Sequence, residues 1–288
     1  MSDSLMSRRK FLVGAGTVVG AAGLTGLGIN KYASDAQAAG SAIPWPYPAN
    51  PADQPNPEAV ARKAFEIYFG GRGCAEAVWG CIVETLAANP ANAGTWATLP
   101  INIFRYGGGG IAGWGTICGT LNGAAAMLGM LVSTGPHRVT LTDAIFQYYA
   151  KTALPTNNAY LSTQGQLGSL GAWTPATLPQ NNVPTSVADS PLCHSSLVQW
   201  TMATGIKDAS PGQKDRCGKA CFDVAFKLTE LLNAYFAAIT ATSTPAPGAV
   251  ALDPSVTACR TCHVTYTGAR MGCTSCHDMT ATDGHFLP

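Results

Sequence analysis

The chain has 288 residues, 47% of them apolar and only 11% charged, with a formal net charge of +1. That length provides one or two domains and a sizeable buried core. A net charge so near zero excludes partners captured through a strong field, so neither nucleic acid nor an anionic membrane surface is expected.

In chain order, residues 1–38 read as a targeting segment. Ser7-Arg8-Arg9-Lys10-Phe11-Leu12 matches a twin-arginine signal and is followed by a Gly/Ala-rich apolar run to about Ile29. Ala36-Gln37-Ala38 fits a cleavage site, giving a mature periplasmic chain from Ala39. An uncleaved anchor is the alternative, but the glycines of the run disfavour it, and no stable membrane insertion is expected after cleavage.

Residues 39–56 form a Pro-rich extended arm, with Pro44, Pro46, Pro48, Pro51 and Pro55. A helical domain over 57–242 follows. Pro57 suits a first helical position after Asn56, and the helix ends at the glycines of 70–73. A second helix from Cys74 to about Ala88 puts Cys74, Val78 and Cys81 on one face, either as core filler or as ligands aimed into one pocket.

The run Gly107–Gly110 lacks the Lys-Ser/Thr of a phosphate loop and reads as close backbone packing or an anion-free turn. The uncharged stretch 107–136 is too rich in glycine for a membrane span, so a buried helix over 116–132 is expected, with Cys118 near its start. Thr140 or Thr142 is expected to cap a helix through about Ala153, leaving His137 in an exposed loop. Residues 154–190 lack a period and form a long connection. Helices then open at Pro191-Leu192-Cys193-His194 and over 213–242, where Cys217 and Cys221 are helical neighbours and Arg216 and Lys219 favour thiolates. The fold expected is all-α: a bundle of five or six helices, a linker over 243–254 and an irregular tail over 255–288.

The tail carries the most specific signal. Cys259/Cys262/His263 and Cys273/Cys276/His277 are two Cys-x-x-Cys-His units fourteen residues apart. Each unit spaces two thiols for the vinyl groups of a c-type haem and sets a proximal His beneath the ring. The same spacing, C-x2-C-x10-C-x2-C, resembles a zinc ribbon, but a zinc site does not need a His after each pair. Two covalent haems are therefore expected.

Ten cysteines leave Cys74, Cys81, Cys118, Cys193, Cys217 and Cys221 unassigned. An exported chain permits disulfides, whereas thiolates could also hold an iron–sulfur cluster. The twin-arginine route moves folded proteins, and c-type haem is attached after translocation. A second cofactor inserted in the cytoplasm would explain that route, which favours the cluster.

Gly73-Cys74-Ala75-Glu76-Ala77-Val78, Tyr106 with the four glycines, and Cys118-Gly119-Thr120-Leu121-Asn122-Gly123 together resemble the redox-active family named for its C_GCAxxG_C_C pattern. Cys193-His194-Ser195-Ser196, Cys217 with Cys221 and Leu231-Leu232-Asn233 fit its downstream part. With the haem units added, most of 57–288 resembles the split-Soret cytochromes c. Val78 departs from the pattern, which expects glycine there, and Gly80 follows two residues later. The resemblance implies a periplasmic homodimer, two bis-His haems per subunit gathered at one end, and an iron–sulfur centre near Cys74, Cys118, Cys193 and Cys217, with Cys81 and Cys221 as further candidates.

His263 and His277 are the proximal iron ligands by position, leaving His137, His194 and His285. His285 lies eight residues past His277 and can reach on the order of 25 Å. It and His194 are the candidate distal ligands, with Met271 and Met279 nearby in sequence. Two haems that each need a second ligand cannot be completed by the tail's histidines alone. Six-coordinate haems make the chain an electron carrier between redox partners; an open axial position would make it a haem reductase or a small-molecule sensor. No catalytic set of residues stands out.

Overall fold

The structure is a computed structural model that describes residues 45–133, 135–156, 184–207, 209–240, 253–260 and 270–272. The expected targeting segment and most of the tail expected to bind haem lie outside these residues.

Eight helices occur among the described residues: α1 (Pro57–Phe69), α2 (Cys74–Ala87), α3 (Ala93–Trp96), α4 (Gly119–Leu131), α5 (Gly135–Lys151), α6 (Cys193–Thr204), α7 (Pro211–Thr240) and α8 (Pro254–Arg260). The strand pair β1 (Ala153–Leu154) and β2 (Ser186–Val187) is antiparallel, with Ala153 opposite Val187. The all-α reading holds, and no described helix is long and apolar enough to cross a membrane.

Local chemistry sets the helix ends. Asn56 caps α1 by accepting from the Ala59 amide at 3.0 Å, and Pro57 opens it. Gly71, with φ of 90°, turns the chain out of α1. Glu76 then starts α2 by accepting from the Gly73 amide at 3.1 Å, half of a capping box.

α2 is the central element. Every residue from Ala75 to Val83 is buried, because α1, α4, α7 and the 3-10 turn Ile101–Gly107 pack round it. α7 lies along α1 and contributes Phe222, Ala225, Leu228 and Leu232 to the same core. Each of Phe222, Leu228 and Leu232 contributes about 1.5–3 kcal/mol on leaving water.

The described part of the N-terminal arm is docked. Tyr47 is buried, donates to Asn233 Oδ1 at 2.7 Å and stacks on Phe236; Pro46 O accepts from the Trp96 indole at 2.9 Å.

Two local expectations change. Thr140 and Thr142 do not cap a helix; α5 starts at Gly135, and their hydroxyls donate back to Pro136 O at 3.1 Å and Arg138 O at 2.8 Å. His137 is accordingly a residue of the first turn of α5, partly buried with its ring edge-on to Tyr235 at 5.7 Å, and not part of an exposed loop.

Candidate metal centre

Four thiols from four separate elements line one cavity of about 480 Å3. Cys74 is the first residue of α2, Cys118 is the N-cap of α4, Cys193 opens α6 and Cys217 lies near the start of α7. Cys74, Cys118 and Cys193 thus sit at helix N-termini, which present free amides and a positive dipole end, whereas Cys217 lies in the second turn of its helix. Tyr68, Phe69 and Leu197 supply the apolar wall, and Gly108 and Gly109 form part of the lining.

Backbone pairing explains why Cys118 meets Cys193. Cys118 N donates to Pro191 O at 3.0 Å, Cys193 N to Thr116 O at 2.7 Å and His194 N to Gly115 O at 3.0 Å. Segments 115–118 and 191–194 are thus stitched together across the cavity edge. Gly110 makes room for this: its φ is 68°, and a Cβ there would stand 2.8 Å from Cys193 Cβ. Both readings of the glycine run are met: 108–113 is a turn, and its glycines allow the close packing against Cys193.

The same economy of space resolves the departure at Val78. Val78 is fully buried, and the close approach of α2 to α4 comes from the opposite helix, where a Cβ on Gly123 would lie 2.6 Å from Ala75 O.

The thiols are electrostatically unequal. Cys118 is held down to about 5, first by the thiol of Cys193 donating to it, with further help from the Thr120 hydroxyl at 3.3 Å. The same contact pushes Cys193 up, since it is the member of the pair that keeps the proton. Burial pushes Cys217 up to about 12, opposed by the adjacent Arg216, and Gln213 Nε2 donates to its sulfur at 3.5 Å. Cys118 is the thiol poised to ionise, and Cys193 and Cys217 are the buried thiols that must shed protons on metal binding.

Arg216 lies in the lining, 2% exposed, with Nη2 donating to Ser196 Oγ. Lys219 was expected to act alongside it but does not line the cavity; it pairs with Asp215 one helical turn back at 3.1 Å.

The remaining two cysteines stand apart from the lining. Cys81 is fully buried in the core, where its thiol donates to Val78 O at 3.2 Å. Cys221 is fully buried behind the wall, and contact with Cys74 adds to the burial that raises it. All six thiols are free.

Among the described residues no three His, Cys, Asp or Glu side chains converge tightly enough to hold a single metal ion. The arrangement fits a larger thiolate-bound centre: four soft ligands around a space many times the ~30 Å3 of a water, beside a buried cation that calls for negative charge.

Of the residues expected to bind haem, Cys259 has its backbone in α8, and Cys262, His263, Cys273, Cys276, His277 and His285 lie outside the described residues. Contacts fix the described pieces of the linker's end and the tail to the helical domain. Lys151 joins Asp189 and Asp253, Arg270 pairs with Asp143, and Ser190 Oγ donates to Met271 Sδ at 3.5 Å. The tail is thereby held beside Ser190, three residues before Cys193. His194 is exposed on the same face of α6 as Val198 and Met202, 37% and 77% exposed.

Sequence reasoning did not find Tyr68 and Tyr149, whose hydroxyls stand beside Cys217 and Cys118 respectively. The only sequence signal for either was an aromatic at a helical core position.

Residues 73–231, more than half of the chain, match the family model described as "Putative redox-active protein (C_GCAxxG_C_C)". The chain belongs to this family. It is 30% identical to the split-Soret cytochrome c of Desulfovibrio desulfuricans over 96% of each chain. A solved structure, described as a novel iron centre in the split-Soret cytochrome c from that organism, superposes with a TM-score of 0.68 at 27% identity, covering 84% of this chain and 94% of the other. These similarities give the chain a redox or electron-transfer role.

Proposed function

We propose that this chain is a periplasmic dihaem c-type cytochrome that carries electrons between redox partners and holds a thiolate-bound iron–sulfur centre in its helical domain. One observation carries the reading: four free thiols, named from the family resemblance, line a single cavity beside a buried arginine.

Cys74, Cys118, Cys193 and Cys217 would hold the centre, and Tyr68, Phe69 and Leu197 would keep water from it. Cys221, next to Cys74, is the reserve candidate, whereas Cys81 faces the core. Such a centre supplies a one-electron store, and the novel iron centre of the related cytochrome supports its presence here. Cys259, Cys262, Cys273 and Cys276 would bind two haems, with His263 and His277 beneath them.

The docked tail supports short-range exchange, because Met271 is hydrogen-bonded to Ser190 and Cys193 follows three residues later. His194, exposed at that same helix start, is available as a distal ligand, with His285 as the tail's own candidate. A homodimer with haems near its interface is supported by the exposed stripe of His194, Val198 and Met202 and by Trp114, 83% exposed. The twin-arginine leader supports export in folded form.

Quantifying covalent haem, non-haem iron and acid-labile sulfide in protein purified from the periplasm tests the reading. Two haems with iron and sulfide are expected. Six oxidised cysteines and no non-haem iron would remove the cluster. Rapid carbon monoxide binding by the reduced protein at neutral pH would replace the carrier with a reductase or sensor.

A further inference from the structure

Arg216 is a buried cation that no carboxylate contacts directly among the described residues. It is 2% exposed, and among the described residues it forms no ion pair with Asp or Glu. Its Nη2 donates to Ser196 Oγ, and its Nε has no partner. The nearby acids are committed elsewhere. Asp215 pairs with Lys219 at 3.1 Å, and Asp223 accepts from the amide and hydroxyl of Thr156. Asp223 feels the guanidinium only at longer range, and the groups that act on it most are the Tyr149 hydroxyl, Cys217 and Cys118.

A guanidinium does not deprotonate in proteins, so Arg216 cannot escape its burial as a lysine could. An isolated charge in such a place is strongly unfavourable unless negative charge stands close by. The cavity is where that charge can be, because two of its thiols are the groups facing Arg216.

We propose that Arg216 is the charge-balancing residue of the iron centre: anchored by Ser196, it offsets the negative charge of the thiolate-bound iron and favours its one-electron-reduced form. The inference rests on the iron–sulfur reading above. On reduction the centre gains one electron from a redox partner, no bond to Arg216 forms or breaks, and the guanidinium keeps its protons. Arg216 is therefore a positioning residue, acting through Cys217 and Cys118. Arg72 and Lys214 also line the cavity but are exposed, so water screens them and Arg216 carries the larger effect.

The test is a redox titration of the non-haem iron, followed by electron paramagnetic resonance, on full-length exported holoprotein carrying Arg216→Gln or Arg216→Lys. The haem potentials of the same samples serve as the internal control. R216Q is expected to disfavour reduction at least tenfold, a fall of 59 mV or more for one electron, or to lose the iron while keeping its haems. R216K is expected to keep the iron and recover more than half of the shift. R216Q with full iron and an unshifted potential would overturn the inference, as would equal shifts in both variants. If R216Q does not accumulate, R216K decides alone: retained iron with a shift below tenfold supports the charge role, and loss of iron overturns it. Wild-type protein without any non-haem iron would instead overturn the functional reading on which the inference rests.

Discussion

Gly123→Ala tests whether the thiol wall depends on the close approach of α2 and α4. A Cβ at this position would stand 2.6 Å from Ala75 O and 3.0 Å from Trp79 N. Ordinary contact begins at 3.4 Å, so the carbonyl would have to retreat by 3.4 − 2.6 = 0.8 Å. It cannot do so alone, since α2 is buried on every side. Overpacking of this kind costs about 1–3 kcal/mol, against a helix-propensity gain of up to about 1 kcal/mol for replacing glycine. Gly129→Ala is the control: it lies on the same helix, is exposed and has nothing within 4 Å of its Cβ position, so only the propensity gain of about 0.5–1 kcal/mol remains. At about 2–4 °C per kcal/mol, far-ultraviolet circular dichroism should show G123A melting several degrees lower and G129A slightly higher. Ala75 follows Cys74 directly, so G123A should also retain less non-haem iron. A G123A protein as stable as wild type would refute the reasoning.

Cys217→Ala should abolish non-haem iron while leaving the haem spectrum intact. Cys81→Ala should retain the iron and cost about 1 kcal/mol as a small core cavity, so loss of iron from C81A would place the ligands wrongly. Burial raises the Asp223 carboxyl to about 6 from 3.8, so the folded state holds its proton more tightly than the unfolded chain does. Its contribution is complete below pH ~4 and is lost as pH rises through about 6, on the order of 3 kcal/mol in all. Asp223→Asn should flatten the pH dependence of the denaturation midpoint across that window; an unchanged slope would count against it. Lys151→Met removes the joint between Asp189 and Asp253, so tryptic cleavage in the tail should accelerate several-fold while the melting temperature of the helical domain changes little, as a half-exposed pair contributes under ~1 kcal/mol. Unaltered cleavage would show that the tail is held by other contacts.

Some of this was local and therefore legible. Asn56 with Pro57 started a helix where expected, the glycines after Phe69 stopped it, and the two helices carrying Cys193 and Cys217 opened near the predicted residues. Capping and termination depend on a few adjacent residues, and a covalent haem motif is wholly local. α5 starts earlier than its threonines suggest, because a threonine that can cap can also bond back within a helix, and the backbone is helical from Gly135 onward.

The sequence by itself determined the helical class, the family, and which cysteines stand outside the two Cys-x-x-Cys-His units. Tertiary structure decided where each one goes. Cys74 and Cys81 share a helical face, but seven residues at 1.5 Å each carry Cys81 about 10 Å along the axis into the core. Cys118 and Cys193 are distant in sequence and meet because 115–118 and 191–194 hydrogen-bond to each other. Arg216 and Lys219 read alike in sequence, yet Asp215 neutralises one and leaves the other facing the thiols. Helix phase and long-range backbone pairing produced those differences, and neither is encoded in any short stretch of residues.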